Sequence, residues 1–114
     1  MKKFNKIYQK VILESREILA REGDPLKGKW ELNLWKHNTD YISVSYSVLD
    51  DVKQYIDITI RKKNGKLILK WYDWSDGDKS EDYSEAKLKA LLKPAKIKLS
   101  NKFWKSILKN IKKL

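Results

Sequence analysis

Residues 61–67 read RKKNGKL, and the Asn64–Gly65 pair at their centre decides the fold. Both positions of a two-residue hairpin turn take a positive φ, which Asn and Gly tolerate best. The alternating runs YIDITIRKK (55–63) and KLILKWYDW (66–74) flank this pair, so they are predicted to form an antiparallel hairpin. The turn fixes the register and places Lys63 opposite Lys66, Ile60 opposite Leu69, Ile58 opposite Trp71 and Tyr55 opposite Trp74.

Two further runs upstream, KWELNLWK (29–36) and YISVSYSVL (41–49), alternate with the same period of two. They predict two more half-buried strands, which gives a four-stranded antiparallel meander over residues 29–74. One face of this sheet is rich in Ile, Leu and Val. The other face is predicted to carry aromatic and basic side chains, namely Trp35, Tyr41, Tyr55, Arg61, Lys70, Tyr72 and Trp74.

Helical spacing of apolar residues appears in three other segments, 3–22, 80–93 and 100–113. Gly23 and Pro25 follow the first segment and Pro94 follows the second, as expected at helix ends. The predicted order is therefore α-β-β-β-β-α-α. We expect a single α+β domain over residues 1–114, in which the helices cover one face of the sheet.

The chain has 114 residues and a net charge of +11, and this charge is unevenly distributed. Residues 87–114 contain ten lysines and neither Asp nor Glu. A basic segment of this kind favours an anionic partner, such as nucleic acid, a lipid surface or an acidic protein. The ten residues are Lys87, Lys89, Lys93, Lys96, Lys98, Lys102, Lys105, Lys109, Lys112 and Lys113.

The last helix is predicted to separate its lysines from an apolar arc that contains Phe103, Trp104, Ile107 and Ile111. One interpretation is a row of lysines that follows a phosphate backbone. Lysine rather than arginine indicates contact with phosphates without reading of bases. The alternative is an ordinary solvated helix face, in a chain whose lysine excess reflects an AT-rich coding sequence.

The aromatic face of the sheet has three interpretations. Aromatic and basic residues together on a sheet are how several single-strand binders stack bases. The same residue types dominate protein interfaces. They also stiffen a sheet through cross-strand pairs.

Several classes of function lack support in the sequence. There is no cysteine and one histidine, His37, so a grouping of His37 with Ser43 and Asp40 is interpreted as chance. The acidic stretch DWSDGDKSED (73–82) does not fit a calcium loop, and we predict a polar turn that favours the next helix. No enzymatic activity, metal, cofactor or small-molecule substrate is expected. No segment is predicted to span a membrane or to act as a signal peptide, so a cytoplasmic location is expected.

The sequence thus predicts a small basic binding protein that engages nucleic acid, or a nucleoprotein enzyme, through its C-terminal lysines. A phage or mobile-element inhibitor of a host nucleic-acid enzyme, of the anti-CRISPR or anti-restriction type, is one specific form. The first alternative is a protein–protein interaction module that binds an acidic partner through the aromatic sheet face or self-associates. The second is a peripheral membrane protein, which would need the apolar arc of the last helix to be free.

Overall fold

The computed structural model describes residues 17–73, 75–93 and 99–114. Within these ranges the chain forms a six-stranded antiparallel sheet in which every strand pairs with its neighbours in sequence. Two helices follow the sheet. The elements are β1 (Glu17–Asp24), β2 (Trp30–Asn38), β3 (Tyr41–Val48), β4 (Asp51–Lys63), β5 (Lys66–Asp73), β6 (Gly77–Asp82), α1 (Glu85–Leu91) and α2 (Asn101–Lys112).

The β4–β5 hairpin has the predicted turn and register. Asn64 and Gly65 have φ values of 53° and 78°. Lys63 pairs with Lys66, Ile60 with Leu69 and Ile58 with Trp71, so these three predictions are confirmed. The fourth predicted pair includes Trp74, which lies outside the described residues.

The apolar face of the central strands forms the core with the two helices. Leu32 and Leu34 of β2 are fully buried, as are Ile58 and Ile60 of β4. These strand residues form one cluster with the inward-facing residues of both helices. The helix members are Leu88, Leu92, Phe103, Ile107 and Ile111. The outward-facing side of each helix therefore points away from the sheet.

The predicted fold, a four-stranded sheet in the order α-β-β-β-β-α-α, is wrong. Residues 17–22, assigned to the first helix, belong to β1, while residues 3–16 of that predicted helix lie outside the described residues. Residues 80–82, assigned to the second helix, belong to β6. The physical reason is that β1 and β6 pair through backbone hydrogen bonds with β2 and β5, which overrides their local side-chain pattern.

Serine residues cap both helices. The Ser84 hydroxyl accepts a hydrogen bond from the Lys87 amide at 3.1 Å, so α1 begins later than the predicted segment 80–93. The Ser100 hydroxyl accepts one from the Phe103 amide, also at 3.1 Å. This cap agrees with the prediction that the last helix begins near Ser100.

The acidic stretch forms the predicted polar turn, between β5 and β6, and its last residues belong to β6 rather than to the start of the helix, which begins at Glu85. A carboxylate oxygen of Asp73 accepts hydrogen bonds from the Ser75 amide at 2.9 Å and the Ser75 hydroxyl at 2.7 Å. Because these donors favour the charged form, they lower the pKa of Asp73 below its ordinary value of 3.8. The turn is therefore held by its own side chains.

We expect the Asp73 carboxylate to titrate below pH 3.8, measured by NMR of its side-chain carbonyl. Its stabilising effect is then present above 3.8 and is lost as the pH falls through the lower, folded-state value. In a Ser75→Ala variant the titration should move up toward 3.8 because one donor is removed, whereas Ser80→Ala should leave it unchanged. A wild-type titration at or above 3.8 would contradict this account of the turn.

Candidate functional site

The predicted lysines lie on the outer sides of α1 and α2. We call the eight in the described ranges the lysine surface; Lys96 and Lys98 lie outside those ranges. Seven of the eight are exposed and Lys87 is half-buried. The members of the lysine surface are Lys87, Lys89, Lys93, Lys102, Lys105, Lys109, Lys112 and Lys113.

Two lysines of α1 cover tryptophan rings on the helical side of the sheet. The Lys87 ammonium lies 4.9 Å from the centre of the Trp71 ring and 3.7 Å from a carboxylate oxygen of Glu81. The Lys89 ammonium lies 5.6 Å from the centre of the Trp104 ring. Within the described residues, Lys87 is the only member of the lysine surface that forms an ion pair.

The N-terminus of α2 carries a lysine that interacts unfavourably with the helix dipole. Its first turn contains Lys102 and no acidic residue, although the positive end of the helix dipole favours an acid there. A carboxylate from elsewhere occupies this position, because the Ser100 hydroxyl donates a hydrogen bond to Glu22 of β1. The charge of Lys102 therefore does not stabilise the helix. Lys109 and Lys112, in the last turn, lie at the end where the dipole favours them.

The β4–β5 hairpin adds a basic extension to this surface that was not predicted from the sequence. The Lys62 ammonium donates a hydrogen bond to the Leu114 carbonyl at 3.0 Å, which places the hairpin beside the end of α2. A hollow of about 570 Å³ lies between them and is lined by both Lys62 and Lys112. The sequence signal was the run of lysines around Asn64–Gly65, but its proximity to α2 is a tertiary feature.

The other face of the sheet carries the predicted aromatic residues. On β2, the Trp35 indole donates a hydrogen bond to the Ser45 hydroxyl at 3.0 Å. The Tyr41 ring meets the His37 ring edge-on, with centres 4.4 Å apart, and the Arg61 guanidinium lies 4.2 Å from the Tyr41 centre. These residues contact one another across β2, β3 and β4. Their contacts match the cross-strand pairing that stiffens a sheet.

More exposed aromatic residues lie toward β5 and β6 on this same face. The exposed fractions of Tyr55 and Tyr72 are 46% and 54%. A groove of about 580 Å³ beside them is also lined by Lys70, Asp57 and Asp78. Lys79 also lines it, so two acids balance two lysines and the groove has no excess of positive charge, unlike the lysine surface. Trp74, the last predicted member of the face, lies outside the described residues.

The two predicted sets of residues are therefore not brought together. Leu32 and Ile58 point into the core beneath the helices, whereas their sequence neighbours Asn33 and Asp57 point to the opposite face. The lysine surface lies on the outer sides of the helices, whereas Tyr55 and Tyr72 lie on the opposite face of the sheet. A hollow runs from these tyrosines past Trp71 to Ala90 and Leu91 of α1. The lysine surface and the aromatic residues are therefore described as two separate candidate sites.

His37 and Ser43 lie within hydrogen-bonding distance of each other, and the Ser43 side chain is buried. The His37 Nε2 atom lies 2.8 Å from the Ser43 hydroxyl oxygen, as a base and a nucleophile would. Ser43 is only 4% exposed, and it lines a hollow of about 270 Å³ together with His37. Among the described residues there is no cluster of three or more potential metal-ligating side chains.

The apolar side of α2 is not free to enter a lipid surface. Phe103, Ile107 and Ile111 are buried in the core, and Trp104 packs against it. The described part of the chain also has no helix with the length and apolar character needed to cross a membrane. The geometric requirement for the membrane alternative is therefore not met by α2.

Comparisons with known proteins give no further information on the site. No protein-family model matches the sequence, and no curated protein or solved structure shows significant similarity to the chain.

Proposed function

We propose that this protein is a non-enzymatic binding protein that engages nucleic acid, or a nucleoprotein complex, through the lysine surface. The observation that carries the proposal is the arrangement of α2. Phe103, Ile107 and Ile111 of its apolar side are buried in the core, and its outer side bears lysines without an acidic residue. Because only the outer side is available to a partner, that partner meets a row of positive charges.

This arrangement has a physical cost that a polyanion would remove. Lys105 lies three residues from Lys102 and four from Lys109, so the charges are neighbours on the helix. Each like-charge pair costs about 0.2–0.5 kcal/mol in an isolated helix. Phosphates would neutralise the lysines and release bound counterions, which favours association at low salt. Lysines contact phosphates as point charges, so the proposed binding does not depend on base sequence.

In a more specific form of this proposal, the bound protein occludes the nucleic acid. A small folded body held on nucleic acid by its lysines would block the surface that another enzyme must contact. An inhibitor of a host nucleic-acid enzyme, of the anti-CRISPR or anti-restriction type, would act in this way in the cytoplasm. The support for this form is the lysine-rich composition and the small size of the chain.

The salt dependence of binding tests the proposal. The intact protein would be titrated against labelled single- and double-stranded DNA and RNA over a range of salt concentrations. We expect binding at low salt and a log–log slope of about −3.6 on duplex DNA if four phosphates are neutralised. Failure to bind any of the four nucleic acids at low salt would contradict the proposal.

A second candidate function rests on Tyr55 and Tyr72. Two tyrosines that are about half exposed beside a groove are typical of a protein interface. Asp57 and Asp78 balance Lys70 and Lys79 in this groove, so its charge does not favour the acidic partner that was expected for this face. A pull-down in which Tyr55→Ala and Tyr72→Ala abolish capture of a partner, while the lysines can be replaced without effect, would favour this candidate.

A further inference from the structure

We infer that the nucleic acid bound by the lysine surface is a double helix, contacted through its phosphates without stacking of bases. This inference rests on the proposed function and specifies the ligand of the same site.

In the described residues, every aromatic ring beside the lysine surface is partly buried. These rings are Trp71, Trp104 and, in the hollow lined by Lys62 and Lys112, Tyr83. All three pack against the core, and each tryptophan has a lysine ammonium within 6 Å of its centre. Proteins that bind single strands without sequence preference place stacking rings inside their basic groove. Over the two tryptophans, lysines occupy the position that a base would need.

The exposed rings lie away from the lysine surface. Tyr55 and Tyr72 are on the opposite face of the sheet. Their groove has no excess of positive charge, because Asp57 and Asp78 balance Lys70 and Lys79. A strand whose bases stacked on the tyrosines would therefore have its backbone in a groove without net positive charge. Single-strand binding needs exposed rings and an excess of positive charge at one site, and the structure places these on different faces.

The shape of the lysine row on α2 also favours a double helix. Residues 102 to 112 span about 15 Å along a helix that rises 1.5 Å per residue. The row is rigid because Phe103, Ile107 and Ile111 hold α2 in the core. A double helix presents phosphates at a fixed rise of about 3.4 Å per strand, so about four base pairs match the row. A flexible single strand would lose conformational entropy when held along the same line.

The test compares a short DNA duplex, an RNA duplex of the same sequence and the corresponding single strands. Each is titrated against the intact protein and against a Tyr55→Ala/Tyr72→Ala variant. Since the slope per phosphate is about −0.9 for duplex DNA and −0.7 for single strands, we expect roughly sixfold tighter duplex binding at about 0.1 M salt. The tyrosine variant should bind all ligands as the wild type does. The ratio of the dissociation constants for the DNA duplex and the RNA duplex identifies which double helix is preferred.

Two outcomes would overturn the inference, and they differ in what they leave standing. Tighter binding of the single strand, or loss of single-strand binding in the tyrosine variant, would refute duplex recognition but leave nucleic-acid binding intact. Absence of binding to every ligand would remove the proposed function and the inference with it. Circular dichroism of the tyrosine variant would confirm that it is folded, because both side chains are about half exposed and lie outside the core.

Discussion

Replacement of Lys102, Lys105 and Lys109 with glutamine is expected to weaken duplex binding by two to three orders of magnitude at about 0.1 M salt. Each phosphate contact contributes about 0.9 to the log–log slope, so the slope should become shallower by about 2.7. Lys112 is kept because it lines the hollow beside Lys62 at the end of α2. The measurement is fluorescence anisotropy at several salt concentrations.

The matched control carries three substitutions of the same type, Lys27→Gln, Lys36→Gln and Lys70→Gln. These lysines are exposed and lie outside both helices, so the control has the same net charge as the first variant. An equal loss of binding in both variants would mean that net charge, rather than the lysine surface, determines the affinity. The helix variant should remain as stable as the wild type, since removing like-charge pairs offsets the lost dipole interaction of Lys109.

Replacement of Phe103 with alanine is expected to destabilise the protein by about 3–5 kcal/mol, the range for a buried Phe that leaves a cavity. Phe103 is 1% exposed and lies in the first turn of α2, where it packs in the same cluster as the sheet. This loss is a large fraction of the total stability of an ordinary domain. Urea denaturation followed by circular dichroism would measure it.

Ile107→Val provides a graded comparison on the same helix. Ile107 is fully buried, and removal of one methyl group should cost about 0.5–1.5 kcal/mol. If Phe103→Ala cost less than Ile107→Val, α2 would not be docked on the sheet in solution. Its apolar side would then be free, and the peripheral-membrane alternative would regain its geometric basis.

The central part of the fold could be predicted because local and tertiary preferences agree there. Asn64–Gly65 permits only one turn family, and the alternating residues on both sides place Ile58 and Ile60 in the core in a single register. For α2, the separation of Phe103 and Ile107 from the lysines fixed which side would be buried. In both cases the residues that set the local structure also pack in the core.

The two strands that were missed are the two edges of the sheet. β1 reads EILAREGD, which combines good helix formers with a register shift between Ile18 and Ala20 that breaks the alternation. β6 reads GDKSED and contains no apolar side chain at all. Charged edge strands prevent sheets from pairing with one another, and for this reason they lack the hydrophobic signal of a strand.

For the candidate site, the sequence identified the lysines but not their positions relative to the rest of the fold. The run from Lys87 to Lys113 was evident from the sequence because it lacks acids. The contact of Lys62 with Leu114 joins positions 52 residues apart, which no local pattern reveals. The separation of Tyr55 and Tyr72 from the lysines likewise depends on which face of the sheet the helices cover.

The pairing of each strand with its sequence neighbours has a consequence for how the chain folds. In the sheet each contact closes only a short loop, so the contact order of this β-rich protein is low for its class. The hairpins can form one after another from the Asn64–Gly65 turn. The long-range contact between α2 and β1 closes a much longer loop, because the Ser100 hydroxyl donates a hydrogen bond to Glu22, which is 78 residues earlier in the chain. We expect this closure to be the late step of folding, because its entropic cost is offset only after the sheet exists.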